Sequence, residues 1–94
     1  MSFVTKAAAS DLYEIQSSQL ALQKAQNTDV RQFAQMMIDH HTQTTQQVTA
    51  AAQADGLTPP VPQLEPHQAQ MIAELQPLSG AAFDGAYVRQ QRMA

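Results

Sequence analysis

At 94 residues and 10.3 kDa the chain is one domain at most, and a chain this small buries a limited share of its surface, so help from oligomerisation is expected. Only 14% of residues are charged and the net charge is -3, which provides neither a basic nucleic-acid footprint nor a polybasic membrane patch. The absence of Cys excludes disulfides, thiolate metal sites and Cys nucleophiles, and fits an oxidising compartment as well as any other.

The N-terminus Met1-Ser2-Phe3-Val4 lacks the charged-then-apolar layout of a signal peptide. From Phe3 to about Gln26 there is no Pro or Gly, and Val4, Ala8, Leu12, Ile15 and Leu22 recur at helical steps, predicting a first amphipathic helix. At about 100° per residue Asp11 and Ser18 fall inside that stripe, Glu14 lies on its edge, and Tyr13 and Leu20 point away. An inward Asp11 requires a partner.

Asn27-Thr28-Asp29 supplies N-cap chemistry and an acidic first turn for a second helix. Its stripe is Val30, Phe33, Ala34, Met37, His41, Thr44, Val48, Ala51 and Ala52, with Met36-Met37 read as core filling. It ends at Asp55-Gly56, where Gly suits the left-handed C-terminal position. So short a connection predicts an antiparallel hairpin.

Residues 57–63 hold three prolines, Pro59, Pro60 and Pro62, and form a stiff crossover. Pro66 suits a first helical position, and Met71, Ile72 and Leu75 give a short helix from about Glu65 to Gln76, stopped by Pro77. His67 reads as a solvated first-turn residue. Ser79 is expected to cap a last helix with Phe83, Ala86, Tyr87 and Gln90 on one side. No cap, Gly or Pro follows Arg89, so the expectation is an N-terminal portion of a longer bundle. No apolar run approaches the roughly 20 residues that span a bilayer.

The chemistry is concentrated at His40-His41. The hairpin register places His41 level with Glu14, so the two are expected within about 4 Å, or bridged by water, as a hydrogen-bonded ion pair or as two metal ligands. His40 reaches the edge of the same face, and Asp39 points away. A histidine on an apolar helix face is more often a hydrogen-bonded core residue than a ligand, so the leading reading is structural and no cofactor is expected. The alternative is a transition metal (iron, zinc or manganese) held by Glu14, His41 and His40, with further ligands from elsewhere. The Glu-x-x-His motif of di-iron bundles is absent from the second helix, since Met37 and Ile38 precede the two histidines by three. Asp84 and Tyr87, three apart, are expected in capping or packing roles. No glycine-rich phosphate loop, serine nucleophile context or zinc-protease motif occurs, and no catalytic residue is assigned.

Phe3-Val4 with Ala7-Ala8 and Glu14, then Asp29-Val30 with Phe33-Ala34, Met37 and His41, then Gly80-Ala81-Ala82-Phe83-Asp84 with Tyr87, resemble a bacterial family of unknown function. Its members are ferritin-like helical bundles of the cell envelope, often labelled outer-membrane proteins. His40 stands where that family usually carries Asp. The resemblance implies that the third long helix continues to another His and that a fourth follows. It also implies a periplasmic or outer-membrane-associated setting, peripheral because a helical protein without a span is not an integral one.

The expected fold is therefore all-α, a truncated ferritin-like bundle in one domain over residues 1–94, self-associating as a homodimer or higher oligomer. The expected function is that of a non-enzymatic interaction or stress-related bundle. A metal-binding oxidase or store is the rival, and a DNA-binding role is disfavoured by the acidic balance.

Overall fold

The computed structural model describes residues 3–58 and 61–93, excepting the side chains of residues 3 and 4, so the placement of Val4 in the first stripe and the centre of the crossover fall outside it. The described residues form four helices and no strand: α1 (Phe3–Lys24), α2 (Thr28–Ala54), α3 (Pro66–Leu75) and α4 (Gly80–Met93). The α1/α2 hairpin sets the long dimension, since 27 residues at 1.5 Å rise span about 40 Å of a body measuring 46 × 25 × 18 Å. Both α3 and α4 pack on α1, and α4 runs antiparallel to α1.

Local chemistry sets the boundaries. Asn27 is the N-cap of α2, its side-chain oxygen accepting from the backbone N–H of Asp29 at 2.8 Å and of Val30 at 3.3 Å. At the other end Gly56 takes a φ of 74°, the left-handed turn expected there. For α3, Pro66 lies in the first turn, and Glu65 and Gln68 form a reciprocal capping box. Lys24 at the end of α1 donates to the Gln76 carbonyl at 2.6 Å, placing a cation at the C-terminus of α3.

The core sits at the turn end of the hairpin, where Ala21, Ala25, Ala34, Leu75, Phe83, Ala86 and Tyr87 pack together. Alanines on α1 and α2 let the backbones approach, and the Phe83 and Tyr87 rings fill the space between, stacked 5.8 Å apart.

Four expectations about faces are corrected. Tyr13 points inward, 2% exposed, because α3 and α4 cover the flank of α1 opposite α2, and Leu20 is half-buried for the same reason. A one-stripe reading of α1 is too narrow for a helix with neighbours on three sides. On α2 the reverse holds. Phe33 is 37% and Met36 57% exposed, so Met36 is not core filling. Among the described residues no helix packs upon the outer flank of α2.

Candidate functional site

The inner face of α1 carries a ladder of buried polar side chains, Asp11, Glu14, Ser17 and Ser18, one helical turn or less apart. Burying such groups is costly unless each finds a partner.

Asp11 meets α2. Its Oδ1 lies 2.7 Å from His41 Nδ1, and its Oδ2 lies 3.2 Å from the Thr45 hydroxyl, whose proton is shared with the His41 carbonyl at 2.9 Å. With Asp11 as a carboxylate, which only accepts, the His41 Nδ1 that faces it is the donor of this contact. The hairpin register was legible, but the inward acid that His41 meets is Asp11, one turn before Glu14. His40 is exposed on the rim, its ring edge-on to His41 at 5.2 Å. Asp39 accepts from Gln35 Nε2 at 3.0 Å on the outer surface.

Ser18 and the Tyr87 hydroxyl are 2.8 Å apart, and Tyr13 donates to Gln90 Oε1 at 2.7 Å. Gln90 in turn donates to the Met71 carbonyl at 2.9 Å, so one glutamine fastens α1, α3 and α4 together. Burial pushes the Tyr87 hydroxyl up to about 12, and it drives Tyr13 further in the same direction, so both remain protonated hydrogen-bonding groups. Gln91 reaches Ser17 at 3.3 Å.

Glu14 is the exception. It is 5% exposed, and among the described residues its Oε2 finds no hydrogen-bond partner. Burial pushes its carboxyl upward. His41 pulls it back, Asp11 adds to the rise, and Gln91 favours the charged form.

Asp84 closes the hairpin turn. Its two carboxylate oxygens accept the backbone N–H of Gln26 and of Asn27, both at 3.0 Å. These donors precede the first turn of α2 and have no helical partner. Gly80 approaches the same turn with a φ of 61°, and a Cβ there would lie 3.3 Å from Gln26 Oε1. The residues Gly80, Phe83, Asp84 and Tyr87 thus share one task, docking α4 on the hairpin through a close approach, a core ring, a turn cap and a hydroxyl pair.

Two hollows flank this frame. One of about 370 Å³ lies between α2 and α4, lined by Asp29, Val30, Phe33, Tyr87, Val88, Gln91 and Arg92. There α2 and α4 diverge around an edge-to-face contact of Phe33 with Tyr87 at 6.3 Å. The other, about 220 Å³, lies between α1, α3 and the end of α4. Among the described residues no three His, Asp or Glu side chains gather as a metal-ligand group. No helix among them is long and apolar enough to cross a membrane.

The chain belongs to the family described as Domain of unknown function (DUF4142), matched over residues 1–94. No curated protein and no solved structure matches it. In this DUF4142 chain the described residues are all-helical, and the Gly80-to-Tyr87 segment has a physical account.

Proposed function

We propose that this DUF4142 chain is a non-enzymatic helical scaffold of the cell envelope, a ferritin-like bundle with one wall open, and that a second copy of the chain closes it across the α2/α4 groove. The observation that carries this is the groove itself, whose apolar floor of Val30, Phe33, Tyr87 and Val88 leaves Phe33 and Val88 each 37% exposed. Asp11 of the ladder and Asp84 and Tyr87 of α4 are each occupied with holding helices together, which supports a structural role for all three.

Charge selects the occupant. Asp29 and Arg92 line the same groove, so a two-fold axis can set the acid of each copy against the base of the other. A self-complementary face of this kind favours an isologous dimer over an unrelated partner. Sedimentation equilibrium tests it: Asp29→Lys or Arg92→Glu alone weakens the dimer, and the double reversal restores it. Equal dissociation constants for all four proteins would refute the assignment. The envelope setting is supported by the resemblance of the three sequence blocks, and fractionation of producing cells checks it.

A second reading is favoured by one observation, the unpartnered Glu14 Oε2 near a His41 whose ring Asp11 orients. Glu14 Oε2 and His41 Nε2 would offer two ligands to iron, zinc or manganese, with His40 on the rim and the remaining ligands from outside the described residues. Metal analysis after saturation with each ion separates the readings. Stoichiometric metal lost in His41→Ala supports the second, whereas no retained metal supports the structural role.

A further inference from the structure

A different ligand chemistry is gathered on the opposite side of α1. The 220 Å³ hollow between α1, α3 and the end of α4 is lined by Ser10, Tyr13, His67, Gln68, Met71 and Met93. Among the described residues its lining has one imidazole, two thioethers and no carboxylate. His67 and Met71 are four residues apart on α3, the spacing that puts two side chains on one face of a helix. Met93 arrives from the last turn of α4.

Methionine in small helical proteins usually fills irregular core space. Met93 does not. It is 73% exposed while lining the hollow, and the His67 side chain is 67% exposed, so the sulfur and the imidazole stand at a solvent-accessible mouth. His67 Nδ1 lies 3.5 Å from Glu65 Oε2 in a long, partly exposed contact, and Nε2 is the ring nitrogen farther from that carboxylate. The framework is fixed by Gln90, which accepts from Tyr13 of α1 and donates to the Met71 carbonyl of α3.

We propose that His67, Met71 and Met93 form a binding site for monovalent copper. Thioether sulfur is a soft donor that selects Cu(I) over zinc, iron or manganese, and one nitrogen with two sulfurs supplies a three-ligand set for it. Binding is a ligation step alone: neutral His67 Nε2 and the two sulfurs each donate a lone pair, and neither electrons nor protons are exchanged. The site is separate from Glu14 and His41, and it stands whether or not the groove binds a second copy.

The whole chain, kept anaerobic and reduced, is titrated against bicinchoninate for Cu(I), with Ag(I) as the redox-inert probe in methyl NMR. One Cu(I) per chain is expected. Ag(I) should shift the methyl signals of Met71 and Met93 while leaving those of Met36 and Met37 in place. Met71→Leu and His67→Ala should each weaken Cu(I) binding by more than the roughly tenfold that loss of an outer-shell partner causes. Far-UV circular dichroism confirms that each variant is folded. Unchanged affinity in Met71→Leu, or Ag(I) that moves neither methyl, overturns the site.

Discussion

The two long helices of one hairpin are treated very differently by the fold. Along α1, Ala8, Ala9, Asp11, Tyr13, Glu14, Ser17, Ser18 and Ala21 are all buried, whereas on the longer α2 the buried residues are Ala34 and Ala52. The helix covered by α2, α3 and α4 carries the polar ladder, and the helix covered on one side carries exposed Phe33 and Met36. The contrast teaches that α1 is the structural axis and that the uncovered flank of α2 is where the chain has surface left to offer. Composition alone does not foretell this, because the helix with more buried polar groups is the one deeper inside.

Breaking the covered side should have the largest effect. Phe83→Ala removes a fully buried ring from the core that joins α4 to α1, and is expected to cost about 3–5 kcal/mol in urea unfolding. Phe33→Ala on the half-open flank should cost clearly less, and equal costs would erase the contrast.

Asp84→Ala comes next. It leaves the N–H groups of Gln26 and Asn27 without their carboxylate, a loss of about 1.5–3 kcal/mol for hydrogen bonds to a charged group. Asp84→Asn retains one acceptor oxygen and should fall between the two. Tyr87→Phe is smaller, about 1 kcal/mol by chemical denaturation, since only the Ser18 pairing is lost. It also changes the alkaline limb. With its hydroxyl raised from 10.0 to about 12, the folded chain holds a proton that the unfolded chain releases, so stability falls as pH rises through that interval. Tyr87→Phe should flatten this fall.

The one ladder oxygen without a partner among the described residues sharpens the comparison through pH. Glu14 has its folded pKa above the unfolded value, so its contribution is fully favourable below the unfolded pKa and is lost as pH rises through the folded one. Glu14→Gln removes that dependence. The variant should gain stability at neutral pH relative to the parent and show a shallower melting-temperature profile between acid and neutral pH. A parent that is instead more stable at neutral pH than Glu14→Gln would mean that Glu14 is held as a charged ligand or ion-pair partner.

Much of this was legible in the sequence where the determining chemistry is local. Asn27, Gly56, Pro66 and Pro77 fix boundaries through backbone rules, so the helices fall within a residue or two of their expected ends. The hairpin register was readable to about one turn, so His41 was set level with Glu14 where the structure pairs it with Asp11, a turn earlier on the same inner side. The burial of Tyr13 was not readable from α1 alone. It depends on Gln90, 77 residues later, and on a docking geometry that no periodicity in α1 encodes. The same reason hid the grouping of His67, Met71 and Met93, although the four-residue step from His67 to Met71 was a signal available in the sequence.

The central claim, that the uncovered flank of α2 is a surface for a second copy, is tested most directly by the mass of the unmodified chain in solution. Light scattering at micromolar concentration should give twice the 10.3 kDa of the single chain, falling toward the single-chain value on dilution. A well-folded species of single-chain mass at every micromolar concentration would contradict it.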